Sequence, residues 1–213
     1  MGRDRNFAFL GSPGAGKTFG AVALASARAR VIWIDPVGTT TLGPGQASVR
    51  DVEGARRALA GRRVGHALIY ADHLNDAGVA ELVEGAAALA LAEGPRGRVT
   101  LVVDEWAIVA RSRRPAHYLT RALRGGRHQG VSVVPITQRP ADLHPDVRGL
   151  MDYLAIFRCP EAADAAHLNK IDPELAQAAR SLPDRHCVIL DRSTGRWGVV
   201  SDFPTWLSGA AAR

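Results

Sequence analysis

Residues 11–18 read Gly-Ser-Pro-Gly-Ala-Gly-Lys-Thr and fill every fixed position of G-x-x-x-x-G-K-T, directly after the apolar run Phe7-Ala8-Phe9-Leu10. No other feature constrains this chain as strongly, because the pattern works only in one local architecture. The glycines let successive backbone N–H groups curl around phosphate oxygens, and the loop must open onto a helix whose positive N-terminal end faces them. A strand therefore has to precede it and a helix has to follow. In this reading Gly11, Ser12, Pro13, Gly14, Ala15 and Gly16 form the cradle. Lys17 reaches the β- and γ-phosphates, and the Thr18 hydroxyl ligates Mg²⁺. The bland alternative, a chance glycine-rich turn, does not account for the filled positions and the correct flanks together. ATP and Mg²⁺ are the expected cofactors.

A second segment extends binding toward hydrolysis. Val99-Thr100-Leu101-Val102-Val103 is a β-rich run that ends in Asp104-Glu105-Trp106. Ligands of open α/β sheets collect at the carboxyl ends of strands, where this run delivers two adjacent carboxylates. Asp104 is expected in the Mg²⁺ shell through water, and Glu105 as the general base that polarises the attacking water. The alternative is an ordinary strand end whose acids cap the next helix. Val131-Ser-Val-Val-Pro-Ile-Thr137 is a third apolar run, ending in Gln138-Arg139-Pro140. If it lies beside the Asp104 strand, Gln138 can hydrogen-bond the γ-phosphate or the lytic water. Pro135 has no N–H for a ladder, so a local distortion is expected there.

Composition narrows the setting. The formal charge is +6, with 27 basic residues, and only Lys17 and Lys170 among them are lysines. A basic surface favours polyanions, so nucleic acid is the expected partner. No stretch reaches the ~18 to 20 apolar residues needed to cross a bilayer. Met1 is followed by Gly-Arg-Asp-Arg and then the first strand, leaving no secretory leader, and a cytoplasmic location is expected. Cys159 and Cys187 read as two buried thiols rather than a disulfide framework. The dispersed Trp33, Trp106, Trp197 and Trp206 read mostly as core. The seven histidines show no metal-ligand spacing.

Periodicity gives alternating strands and helices. Strands are expected over 6–10, 30–35, 66–71, 98–104, 131–137, 153–158 and 186–191, with 197–200 pairing as a hairpin across 192–195. Helices are expected over 17–28, 52–60, 79–93, 116–125, 161–169 and 173–180, the last started by Asp172 before Pro173. The glycine-rich stretch 38–45 is the least regular. Such alternation implies an α/β fold, a mainly parallel sheet with helices on both faces, in a single domain over residues 1–213.

Taken together, the phosphate loop, Val31-Ile-Trp-Ile-Asp35-Pro36, Leu101-Val-Val-Asp104-Glu105 and Arg127-His-Gln-Gly130-Val-Ser-Val-Val-Pro-Ile-Thr-Gln138-Arg-Pro140 resemble the FtsK–HerA superfamily of DNA-pumping ATPases. The likeness runs from about Asn6 to Arg158. It implies a RecA-like P-loop NTPase core, a homo-oligomeric ring (usually a hexamer) and ATP-driven movement of double-stranded DNA. The family places a trans-acting arginine about eleven residues before the glutamine, and Arg127 holds that position; Arg158 is the second candidate. Arg111, Arg113, Arg114, Arg139 and Arg148 follow the carboxylate and glutamine strands, and the resemblance makes them candidate DNA contacts, with solvated surface charges as the alternative.

The bare motor, without a membrane segment or an N-terminal barrel, is most similar to genome-packaging ATPases of tailless icosahedral viruses with an internal membrane, the tectivirus-like lineage. That likeness implies capsid or internal-membrane proteins as further partners, and a place in the host cytoplasm and at the virion vertex. Another FtsK–HerA translocase or a zonula-occludens-toxin-like phage-assembly ATPase is the alternative. Two rivals come from other classes. A small-molecule P-loop kinase would share the loop, but a glutamate directly after the Mg²⁺ aspartate favours water as acceptor. A nucleotide-gated adaptor would keep the same site without pumping.

Overall fold

The structure is a computed structural model that describes residues 5–112 and 116–211. Its elements in chain order are β1 (Phe7–Leu10), α1 (Lys17–Ser26), β2 (Arg30–Asp35), β3 (Gln46–Val49), α2 (Val52–Leu59), β4 (Gly65–Tyr70), α3 (Asp76–Glu93), β5 (Val99–Val103), α4 (Trp106–Arg111), α5 (His117–Gly125), β6 (Val131–Thr137), α6 (Pro145–Gly149), β7 (Tyr153–Ile156), α7 (Ala162–Asn169), α8 (Pro173–Arg180), β8 (Cys187–Asp191), β9 (Trp197–Val200) and α9 (Phe203–Ala211). They fall into two compact units. One is built from the described residues of Met1–Leu24 and Ile136–Arg213, the other from Ala25–Pro135.

In the unit of Ala25–Pro135 the strands run in the order β3-β4-β2-β5-β6, and every pairing is parallel. Parallel strands covered on both faces need continuous apolar runs rather than alternation, and all six residues of β2 and all five of β5 are buried. The 18-residue α3 packs on β2 and β5. Its start lies three residues before the expected one, because Asn75 caps it by accepting the Gly78 N–H at 2.9 Å. Arg30 is buried at the foot of β2. It pairs with Glu93 at 2.5 Å and donates to the carbonyls of Gly97, Glu93 and Leu59.

The other unit orders the end of β6, then β1-β7-β8-β9, parallel as far as β7 and antiparallel beyond it. Its core is aromatic. Phe9 meets Phe203 of α9 edge-on at 5.4 Å and stacks toward Phe157, while Phe7 stacks on Tyr153 at 4.9 Å. The β8–β9 hairpin turns where expected, with Gly195 in the left-handed region and the Asp191 carboxylate taking the Ser193 N–H and hydroxyl. Asp172 starts α8 by accepting from Glu174 and Leu175.

The fold is thus α/β with a mainly parallel sheet, as the alternation requires. One expectation is corrected. Pro135 produces no break: β6 runs continuously through it, and Pro135 stays in register with Val103. Proline's fixed φ is compatible with extended backbone, so the cost is one ladder donor rather than a bend. Both cysteines are buried free thiols, and Trp33 and Trp106 lie in the core. No described helix is long and apolar enough to cross a membrane.

Candidate nucleotide site

The 11–18 loop leaves the carboxyl end of β1 and enters α1 at Lys17, as its motif demands. Two glycines make the turn possible. At Gly11 φ is +146°, and a Cβ would stand 2.8 Å from the Phe157 Cβ; at Gly16 φ is +106°, and a Cβ would stand 3.0 Å from the Arg185 Cα. Neighbouring backbone closes on the loop from both sides. The Ser12 N–H and hydroxyl both donate to the Arg158 carbonyl, at 2.8 and 2.9 Å. The Arg185 N–H donates to the Ala15 carbonyl at 3.0 Å.

Lys17 is only 8% exposed, and its Nζ donates to the Ser12 carbonyl at 2.9 Å across the loop. The ammonium is therefore held across the loop, and the motif's lysine is the group expected to reach the β- and γ-phosphates. Pro13, Gly14 and Thr18 are exposed, so the mouth of the loop faces solvent. The register Leu10↔Thr137 brings Gln138 level with the start of the loop, and its side chain is exposed. Arg158 lies beside the loop of its own chain, and its guanidinium pairs with Asp184 at 2.9 Å.

Cys159 is buried, as expected of it, while the buried Asp164 had no counterpart among the sequence expectations. The Cys159 thiol is pushed up to about 12, by burial first and by Asp164 second, with the Lys17 charge opposing. Asp164 on α7 is 4% exposed; burial raises its pKa and the Arg139 charge lowers it. On α7 the buried positions are Asp164, Ala165 and Leu168, so an acid on the apolar face of that helix was the available signal.

The carboxylate pair belongs to the unit of Ala25–Pro135. β5 lies beside β6 in parallel register, from Val99↔Val131 to Val103↔Pro135. The Asp104 N–H continues the ladder to the Ile34 carbonyl at 3.1 Å, and its carboxylate accepts the Glu105 N–H at 3.0 Å. Glu105 stands at the N-cap of α4, yet its side chain makes no capping bond there. Its backbone is left-handed, φ 53° and ψ 57°, a conformation that disfavours any residue with a Cβ and that clusters at functional sites. The helix-cap alternative thus fails for Glu105. Asp35, at the end of β2, is fully buried. Its two oxygens accept the N–H groups of Val37, Gly38 and Thr40 at 2.9, 2.9 and 2.7 Å, which folds the start of the glycine-rich loop.

Arg127 is exposed in the short 3₁₀ turn Gly126–Gln129, just before β6. The Gly130 carbonyl accepts the Val99 N–H, so Arg127 lies at the amino end of β5 and Asp104 at its carboxyl end. The structure does not bring these two together. Arg111 ends α4 and is exposed, as is Arg139; Arg113 and Arg114 lie outside the described residues. Arg148 sits at the amino end of β7, where burial first and the Arg192 charge second lower its pKa. The phosphate loop lies at the other end of that strand, where Leu10 pairs with Ile156.

No protein-family model matches the sequence, and no curated protein matches it. Solved structures do resemble it. The genome packaging NTPase B204 of Sulfolobus turreted icosahedral virus 2, in complex with AMPPCP, superposes with a TM-score of 0.74 at 20% identity, over 95% of this chain and 99% of B204. The DNA-packaging ATPase B204 of Sulfolobus turreted icosahedral virus gives 0.71 at 22% identity, over 95% and 99%. VirB4 of Thermoanaerobacter pseudethanolicus gives 0.70 at 13% identity, over 95% and 90%. What a likeness at this level of identity carries is the architecture: the chain has the α/β fold of these NTPases.

Proposed function

We propose that this protein is a Mg²⁺-dependent ATPase of the FtsK–HerA type, whose ring moves double-stranded DNA, and that its task is to package a viral genome into a preformed capsid. The observation that carries the reading is the phosphate loop itself. It is built with its lysine held across the loop, in a fold that B204 matches nearly end to end. Lys17 and the loop hold the phosphates, and Thr18 with Asp104 holds Mg²⁺. Glu105 takes the proton of the attacking water, Gln138 orients that water or the γ-phosphate, and Arg127 serves the nucleotide of a neighbouring subunit.

The net charge of +6 fits a polyanionic track. Phosphate contacts carry no sequence information, so a motor of this kind should act on any duplex. The second reading is another FtsK–HerA-type DNA translocase or a phage-assembly ATPase or adaptor. The test is an ATPase assay with and without long duplex DNA, on material whose mass is measured in parallel. The expected result is a ring, turnover raised by DNA, and a stimulation that falls steeply with salt. An assembled ring whose turnover ignores DNA at low salt removes the translocase and leaves the adaptor.

A further inference from the structure

The turn that precedes β8 does more than close the phosphate loop. Arg185 is one of two described residues other than glycine with positive φ, at 65°. Its backbone is fixed there by the bond to the Ala15 carbonyl and by the close approach that Gly16, lacking a Cβ, allows. An L-residue held in this region is strained, and such strain persists where the surroundings over-determine it, often at ligand sites. The side chain is exposed, and the Arg185 guanidinium carbon lies 5.1 Å from the centroid of the Phe19 ring. Phe19 follows Thr18 in the first turn of α1 and is 47% exposed, a large aromatic surface left open at the mouth of the loop. Among the described residues no carboxylate lies within ion-pairing distance of Arg185, whereas its neighbour Asp184 is taken by Arg158.

The direction of a bound nucleotide follows from the chemistry of the loop. Lysine reaches the β- and γ-phosphates, and the α- and β-phosphates lie on the backbone N–H groups at the start of the helix. The ribose and base are joined through the α-phosphate, so they leave the cradle on the side of the helix's first turn. That is where Phe19 stands. A guanidinium paired with an aromatic face presents a flat, polarisable surface, which stacks a planar base without reading its edge.

We infer that Phe19 and Arg185 form the platform on which the nucleobase stacks when its triphosphate occupies the 11–18 loop. The inference rests on the nucleotide reading proposed above and adds to it the residues that distinguish a nucleotide from a bare polyphosphate. Inorganic tripolyphosphate has the same phosphates and no base, so it separates the two contributions. Titration calorimetry of the full chain with Mg²⁺ would use a non-hydrolysable ATP analogue and, separately, tripolyphosphate.

Base stacking on one aromatic corresponds to about a 5- to 150-fold change in affinity. Phe19→Leu, which keeps the apolar bulk, and Arg185→Gly, which suits the left-handed backbone, should each weaken the ATP analogue by roughly that factor. Tripolyphosphate binding should stay unchanged, and Phe19→Trp should retain the analogue's affinity. Equal losses for both ligands mean the pair only shapes the loop, and an unchanged analogue affinity means the base lies elsewhere; either overturns the inference while leaving the nucleotide reading intact. A wild-type chain that binds neither ligand, or a Lys17→Ala variant that binds both as well as wild type, overturns both.

Discussion

At position 105 the backbone makes a prediction in which stability and activity part company. With φ 53° and ψ 57°, Glu105 occupies a region where a Cβ crowds the following carbonyl, at a cost of about 1–2 kcal/mol. Glu105→Ala and Glu105→Gly both remove the carboxylate and every contact it makes, so their difference isolates the backbone term. In an ordinary helix glycine is less stable than alanine by about 0.5–1 kcal/mol, from its larger unfolded-state entropy. Here alanine carries the left-handed cost as well, and the order should invert, with glycine ahead by about 0.5–1 kcal/mol. In urea unfolding, with a slope near 2–3 kcal/mol per M, that is a midpoint difference of roughly 0.3 M in favour of glycine. Neither variant should hydrolyse ATP, and both should still bind it, because the cradle belongs to the 11–18 loop. A midpoint for Glu105→Ala equal to or above that of Glu105→Gly would mean that no strain is stored at the proposed general base.

Three further outcomes are expected. Lys17→Ala should lose nucleotide binding, while Glu105→Gln should bind ATP with near wild-type affinity and turn it over at a small fraction of the rate, which equilibrium titration and a phosphate-release assay would separate. Glu93 is held below the usual carboxylate range chiefly by its bond to Arg30; a depressed folded pKa contributes stability above the unfolded value that is lost as pH falls through the folded one, so unfolding midpoints should drop below about pH 4.5. Glu93→Ala should cost about 3 kcal/mol at neutral pH, near the low end for a broken buried pair because Arg30 keeps its carbonyl partners, and it should remove that acid limb. Mixed rings of Lys17→Ala and Arg127→Ala chains should regain turnover that neither variant has alone, and mixed rings that form yet stay inactive would point to another arginine.

Much of this architecture was legible because parallel strands advertise themselves. β2, β5 and β6 are mostly apolar runs buried along their whole length, and the phosphate loop fixes what must flank it. The elements that escaped had no such signal. β3 (Gln46–Val49) is a four-residue edge strand that contains no fully buried residue, so nothing in its composition exceeds that of a loop. α4 starts at Trp106, immediately after a carboxylate pair that reads as a strand end, and α6 has only five residues. α9 carries Pro204 near its start and is held by Phe203 against Phe9, a packing that no local pattern announces. The left-handed backbone of Glu105 and of Arg185 was not legible either. At Arg185 the conformation is fixed by the Ala15 carbonyl and the close approach of Gly16, distant neighbours that no local pattern announces, and neither residue type favours a positive φ.

The separation of Arg127 from the carboxylates also bears on how such a site can work. Val99 to Asp104 spans five residue steps of extended chain, about 16 Å at 3.3 Å each, with Arg127 beyond the amino end and Glu105 beyond the carboxyl end. An arginine that stabilises a transferring phosphoryl group must touch its oxygens, and a general base must touch the water in line with the same phosphorus. Two residues at opposite ends of one strand cannot meet both conditions for a single nucleotide. If Glu105 and Arg127 are both catalytic, they serve different ATP molecules, and each chain then carries one half of two sites. Turnover per chain should accordingly rise with protein concentration, in step with ring formation measured by mass, while nucleotide binding by the 11–18 loop should not. A dilute monomer that hydrolyses ATP at the full rate would break this argument at its first step, by showing that one chain holds everything the chemistry requires.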